Sequence, residues 1–408
     1  MSIYSILFVD DDPNVLQGLQ RMLRGMRGEW DVRYVESAAA ALEALSRGPF
    51  DAVVSDMRMP GMDGAELLAE VRNRYPGVVR VILSGYSELE AVMRTVGPAH
   101  QYLAKPCSAQ NLVDVIRRAL ELRRVLDSED LRKLLASVKS LPTPSATYFA
   151  LVKYMDNPKA SASGLADIIA KDVAMTAELL KLTNSAYFTV PSRVTTPLQA
   201  VRILGFETLR ALVLRIGIFR SFQGLATTGR LMEDLNRDSL MVARIAQRIA
   251  ALEGFDQRQA EEAFCAGMLG SIGTLVLLDH MPDKFAQMRK RIGEGCDVLD
   301  SEALVFGATP FQVGAYLLGL WGFNQSVVEG VAFAGRPSDT AAGEIDVAAV
   351  VHAARVLVGP SPAYALPEMG SAGRMALDIE CLKRIGKDQR FDVWASDAES
   401  EKKRIHAG

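Results

Sequence analysis

The strongest constraint on this chain is the alternation in roughly its first 125 residues, where short β-branched runs are separated by stretches with helical apolar spacing. The β-rich runs are SILFV (Ser5 to Val9), DVRYV (Asp31 to Val35), DAVVS (Asp51 to Ser55), VRVILS (Val79 to Ser84) and QYLA (Gln101 to Ala104). Helical stretches fill the gaps, among them ESAAAALEALSRG and GAELLAEVRNRYPG, the second ended by Pro76-Gly77. Such alternation folds as a parallel sheet covered on both faces, and five βα units make a flavodoxin-like sheet.

Beyond Ala109 the pattern changes. Leu112, Val115, Ile116, Ala119, Leu122 and Leu126 keep a three-four spacing, which predicts a helix that leads into the next domain. After DSED (Asp127 to Asp130) strand signals nearly vanish, so the chain passes from α/β to all-α near residue 130. At 408 residues, about half of them apolar, two or three domains are expected. The final ASDAESEKKRIHAG is polar and is expected to fray.

A formal net charge of -3 provides no field to steer the whole chain toward nucleic acid or a bilayer. The opening MSIYSILFVDDD shows no export signal, and no apolar run approaches the roughly 18 residues of a membrane span. Cys107, Cys265, Cys296 and Cys381 lack CxxC spacing and read as reduced thiols, mostly core filler. The expected location is cytoplasmic.

In an open parallel sheet, chemistry sits beyond the carboxyl ends of the strands. Here those ends carry Asp10, Asp11 and Asp12 after the first run, Asp56 after the third, Ser84 on the fourth and Lys105-Pro106 after the fifth. Clustered carboxylates repel unless a cation neutralises them, and an all-oxygen site of this kind suits Mg²⁺. Lys105 and the Ser84 hydroxyl can hold phosphate oxygens, so the set fits transfer of a phosphoryl group onto a carboxylate.

Through ILFVDDDP, DAVVSDMRMPGMDG, VILSGYSE and YLAKP, the stretch Ser2 to Arg123 resembles the receiver domain of two-component response regulators. The resemblance implies that Asp56 is the phosphoacceptor and that Asp10 and Asp11 form the acidic pair, with Asp11 on Mg²⁺. The Arg58 backbone carbonyl would complete the protein ligands, and Asp56 would share the metal. Ser84 and Tyr102 would be the switch pair and Lys105 the phosphate partner. Asp12 is read instead as the cap of a helix starting near Pro13, and Arg58 and Tyr86 are expected to flank the pocket.

The all-α region has few metal-ligating side chains. Of the four histidines, His100 falls in the first domain and His406 in the tail, leaving His280 in LLDHMPDKF and His352 in AAVVHAARVLV, both read as packing or capping residues. Yet SVKSLPTPSATYFALVKYMDNP, LADIIAKDVAMTAELLKLTNSAYF and TPLQAVRILGFETLRALVL resemble the HDOD domain, a relative of the HD and HD-GYP phosphohydrolases that lacks their metal site. The resemblance runs from about Asp130 to Asp339, through Asp172, Asn184-Ser185-Ala186, Leu204-Gly205, Gly314 and Trp321. At the positions of the catalytic relatives' ligands stand Asp238, Gly270-Ser271, Pro310 and Ala334-Gly335. No cofactor is expected there.

Arg210, Arg215 and Arg220 in LRALVLRIGIFRSF read as snorkelling residues of an amphipathic helix. Tyr187 and Phe188 are read as core, and in GEGCDVLDSEALVFG Asp300 or Ser301 is read as a helix cap. The expected layout is a receiver at 1–123, a helical linker at 124–130, an HDOD domain at 131–340, and a helical extension with a polar tail at 341–408. The expected partners are a sensor histidine kinase or phosphotransfer protein, a downstream protein, and in one arrangement a second copy of the chain. Neither membrane nor direct DNA binding is expected. The rival expectation is an HD-related domain that binds, or less readily cleaves, a cyclic dinucleotide or other nucleotide.

Overall fold

The computed structural model describes residues 4–84, 99–122, 131, 134–135, 138, 141–155, 157, 160–184, 193–213, 219–221, 226–364 and 373–406; for some of these, Ser84 and Tyr102 included, it describes the backbone alone. They form two compact units: Met1–Ser140 with Lys181–Ser192 and Gly319–Gly322, and Leu141–Leu180 with Arg193–Leu318 and Phe323–Gly408.

The first unit carries strands β1 (Tyr4–Val9), β2 (Trp30–Val35), β3 (Ala52–Asp56), β4 (Val79–Ser84) and β5 (Gln101–Ala104). They pair in parallel in the order β2-β1-β3-β4-β5. The flavodoxin-like reading is therefore correct, with each strand within a residue of its expected bounds. Ile6, Leu7, Phe8, Val53, Val54 and Val81 are fully buried, as strands covered on both faces must be. Strand order reverses between β1 and β3, and that switch point opens a crevice at the carboxyl ends.

The connecting helices are α1 (Pro13–Met22), α2 (Ala38–Arg47), α3 (Gly64–Arg74) and α4 (Ala109–Leu122). Asp12 caps α1 as expected: its carboxylate accepts the Asn14 N–H at 2.8 Å, with Pro13 in the first turn. Helix α3 starts with a reciprocal capping box between Asp63 and Glu66. The expected continuation of α4 to Leu126, the 124–130 linker and Tyr86 lie outside the described residues.

Among the described residues the second unit is helical apart from a two-residue parallel pair, β6 (Pro142–Thr143) and β7 (Arg220–Ser221). Its leading helices are α5 (Ser145–Met155), α6 (Ala162–Ile169), α7 (Val173–Thr183), α8 (Pro197–Leu204) and α9 (Phe206–Ala211). Gly205 turns α8 into α9 at φ 77°, the left-handed region that favours glycine. The centre is built from α10 (Ala226–Leu252), α11 (Gln257–Leu269), α12 (Ile272–His280), α13 (Pro282–Gly293), α14 (Val298–Phe306), α15 (Pro310–Leu320), α16 (Gln325–Ala332) and α17 (Val347–Val358). Helix α10 packs on α11 and α17, and α11 on α16. A side chain at Gly273 would place its Cβ 1.9 Å from the Pro310 carbonyl oxygen, so glycine is what lets α12 and α15 meet.

Several expectations need correction. The cap of α14 is Asp297, which accepts the Asp300 N–H at 3.1 Å; the helix starts earlier than the Asp300 or Ser301 reading placed it. Residues Gln257–His280, across α11 and α12, have the length and composition of a membrane span, contrary to the run-length reading, but 72% of the 18-residue window is buried within the protein. Among the four cysteines Cys265 and Cys381 are core, whereas Cys296 is exposed and Cys107 half-buried. The tail does not fray over its described length: after α18 (Ile379–Arg384) it forms α19 (Phe391–His406). Its charges find partners on α10 and just beyond it, Asp397 on Arg248 at 2.5 Å and Glu401 near Arg244, while Trp394 is fully buried and donates to Glu253 at 2.8 Å.

Arg210 is half-buried on α9. Arg215, Ser185, Ala186, Tyr187 and Phe188 lie outside the described residues, as does the side chain of Arg220.

Candidate functional site

The switch point gathers the acidic residues in the expected place. Asp56 ends β3 and is 8% exposed, Asp10 follows β1 at 2%, and Asp11 is exposed at the mouth. Lys105, joined to Pro106 by a cis peptide, donates to Asp10 Oδ2 at 2.6 Å and to Asp56 Oδ1. The other Asp56 oxygen accepts the Arg58 backbone N–H at 2.5 Å. Burial pushes the Asp56 carboxyl up, and the Lys105 and Arg58 hydrogen bonds oppose that shift. For Lys105, burial works against the charge, but the bonds to Asp10 and Asp56 outweigh it and hold its pKa above the usual lysine value.

Glycine sets the position of Asp56. A Cβ on Gly64 would fall 2.0 Å from the Asp56 carbonyl oxygen and 3.1 Å from Ile82 Cδ1, and the Gly64 N–H donates to the Met57 carbonyl at 2.9 Å. The first turn of α3 therefore presses directly on the strand end that carries the carboxylate. The backbones of Ser84 and Tyr102 lie on neighbouring strands, with Ser84 paired to Ala104 and Tyr102 to Ile82.

The donor set fits a hard cation. Asp10 and Asp56 are close enough to share one ammonium, Asp11 stands free to solvent beside them, and every available donor is oxygen. Among the described residues no group of three or more His, Cys, Asp and Glu is already gathered around a metal-sized space. Lys105 offsets one of the two buried carboxylate charges and leaves the other for a cation.

In the second unit the positions singled out as emptied ligand sites come together only in part. Asp238 on α10 forms a buried, two-pronged ion pair with Arg355 of α17, one bond at 2.7 Å. Gly270, Ser271 and Ala334 line a cavity together with Arg355, and Ser239 donates to Ser271 Oγ at 2.8 Å. Pro310 instead opens α15 against Gly273, and Gly335 packs beneath Leu299 and Phe311.

His352 is a structural histidine, as read. Its Nδ1 donates to the Ala334 carbonyl at 2.8 Å and its Nε2 accepts the Asp378 N–H at 2.9 Å, which uses both nitrogens and fixes the neutral tautomer. Burial pulls its pKa down, consistent with that form. His280 is a helix-end residue, 3.1 Å from the Val276 carbonyl. Asp172 caps α7: it accepts the Met175 N–H and the Asn236 amide, each at 2.8 Å, while burial raises its pKa to about 6.

Sequence reasoning missed three residues here. Arg355 lies in the apolar helix examined for His352; Glu302 is fully buried on α14; Tyr364 donates to Glu302 Oε1. Burial raises Glu302 to about 8, and Tyr364 is raised as well, first by burial and then by Glu302. The available clue was spacing: Arg355 follows His352 by three residues and so shares its buried face.

A parallel α/β sheet with a carboxylate at its switch point, followed by a largely helical module, is the layout of a response regulator with an HD-related domain behind its receiver. The comparisons agree: the chain carries a response regulator receiver domain at residues 6–117 and an HDOD domain at 141–337. It is 39% identical over 119 residues to the hydrogenase transcriptional regulatory protein HoxA of Cupriavidus necator, a match covering 29% of this chain and 24% of that protein. The chain thus spans about a quarter of the length of the first curated relatives it matches. Among solved structures, a signal receiver domain of an HD domain-containing protein from Pseudomonas fluorescens Pf-5 is 32% identical, with a TM-score of 0.29 over 30% of this chain and 98% of that one. The MmoQ response regulator from Methylococcus capsulatus is 20% identical, with a TM-score of 0.45 over 63% of this chain and 98% of that one.

Proposed function

We propose that this response regulator is switched by phosphorylation of Asp56 and that its HDOD domain is a non-catalytic, protein-binding output. The observation that carries the reading is the Asp56 carboxylate at the end of β3, with one oxygen on the Arg58 N–H and the other on a Lys105 ammonium shared with Asp10. Lys105 is placed to hold an oxygen of an incoming phosphoryl group, and the Arg58 N–H orients Asp56 for attack. Asp10, Asp11, Asp56 and the Arg58 carbonyl would hold Mg²⁺, which when bound supplies the positive charge that lets two anions meet. The donor would be a sensor histidine kinase or phosphotransfer protein.

The Ser84 hydroxyl and Tyr102 form the switch in this reading, altering the face formed by the last strand and helix of the receiver. The output is a change in dimerisation or in packing between the domains, passed to a downstream protein. The residues at the emptied metal positions, with Asp238 held by Arg355 and Ser271 by Ser239, support a domain that binds rather than cleaves.

Incubation with acetyl phosphate and Mg²⁺, followed by intact-mass measurement, should add one phosphoryl group to the wild type and none to Asp56→Asn. Equal labelling of both would sink the assignment. Light scattering with beryllofluoride should then show a change of mass or shape in the wild type alone; an unchanged particle would remove the coupling to the HDOD domain.

A further inference from the structure

We propose that the cavity at the emptied metal positions binds one small oxyanion, a phosphate or carboxylate group, through hydrogen-bond donors and without a metal. Ser271 and Thr274 at the start of α12, Arg355 on α17 and Tyr364 form its polar wall. Because Ser239 donates to Ser271 Oγ, the Ser271 O–H is left to donate elsewhere. A guanidinium has five N–H groups; two of Arg355's go to Asp238 and one to the Gly359 carbonyl at 3.3 Å, leaving two.

Three groups beside this wall are already engaged. Both Asp238 oxygens are on Arg355, the Ala334 carbonyl takes His352, and Tyr364 is turned to Glu302. A guest must therefore bring its own acceptors. The charge balance agrees: Arg355 and Asp238 cancel, and buried Glu302, raised to about 8, is neutral near pH 7 and does not repel an anion. No side chain caps the N-terminus of α12, so its dipole adds to the donors. The cavity has about 30 Å³ of water-accessible space, which suits one anionic group and is far too small for a dinucleotide.

The site goes beyond the phosphorylation reading and is tested apart from it. Full-length Asp56→Asn protein in EDTA, where the receiver is disabled, is titrated with inorganic phosphate, with acetate and with chloride at constant ionic strength. Melting temperature is read for all three and the ³¹P line width for phosphate. The expected result is a saturable rise with phosphate or acetate beyond the chloride baseline, the responding anion naming the source. Ser271→Ala should weaken it about tenfold, the size expected for loss of one hydrogen bond to a charged group. Asp238→Asn with Arg355→Gln should abolish it while keeping the helical circular dichroism; if that pair fails to fold, Ser271→Ala decides alone. No saturable response above chloride, or a response that Ser271→Ala leaves unchanged, would overturn the proposal.

Discussion

Both units bury an aspartate beside a cation, and they do it in opposite ways. In the receiver a lysine ammonium, half-exposed, is divided between Asp10 and Asp56, and the second Asp56 oxygen accepts a backbone N–H. In the helical unit a guanidinium grips both oxygens of Asp238, with the two side chains less than a tenth exposed. A lysine is a point charge on a flexible stem and can follow a new phosphate, whereas a bidentate arginine fixes its carboxylate in one geometry. The first arrangement leaves a carboxylate open to chemistry; the second takes one out of use.

The sharpest way to break this contrast is to remove one partner of the locked pair. Asp238→Ala strands a buried guanidinium and should cost about 3–5 kcal/mol in urea denaturation of the helical transition. Asp238→Leu with Arg355→Met should recover most of it, and a double change as costly as the single one would mean that the charges themselves matter. Next in size is Gly64→Ala, which forces α3 off the Asp56 strand end. It should cost about 1–3 kcal/mol and lower acetyl phosphate labelling as well, which a purely distant packing defect would not do.

Glu302 gives a smaller, pH-dependent effect. Its folded pKa of about 8 lies above the ordinary 4.5, so the fold holds a proton that the unfolded chain has released. Stability is then fully present below the unfolded value and falls as pH rises toward 8, by about 1.4 kcal/mol per unit. Asp172 acts in the same sense only up to about 6. Between pH 6.5 and 8 the wild type should therefore lose about 2 kcal/mol, and Glu302→Gln, which keeps an acceptor for Tyr364, should be flat. The smallest effect on stability is expected at exposed Asp11, where Asp11→Asn should stay within about 0.5 kcal/mol. Its Mg²⁺ affinity, read by calorimetry, should nevertheless drop; unaltered affinity would take Asp11 out of the ligand set.

The receiver was legible because its information is local. Strands β1 and β3 carry unbroken apolar runs, ILFV and AVV, and the strand-end rule brings Asp10, Asp56 and Lys105 together without knowledge of any distant contact. The helical site was legible only as a set of substitutions. Asp238 and Arg355 are 117 positions apart, and Glu302 and Tyr364 are 62 apart. Such pairs are decided by which helices pack, and an arginine or glutamate inside an apolar run carries no mark of its partner. The tail misled for the same reason: Asp397 and Glu401 look like solvated charges until α10 supplies Arg248 and Arg244.

Glu253, near the end of α10, is almost wholly enclosed, and everything that neutralises it comes from far downstream: Lys387 at 2.7 Å, Arg390 at 2.8 Å and the Trp394 indole. The recognisable family stops at residue 337. A chain trimmed there would keep the acid and discard all three of these partners, the buried tryptophan among them. The boundary of the family and the boundary of the folding unit are thus different lines, and the last seventy or so residues belong to the foundations of the output domain.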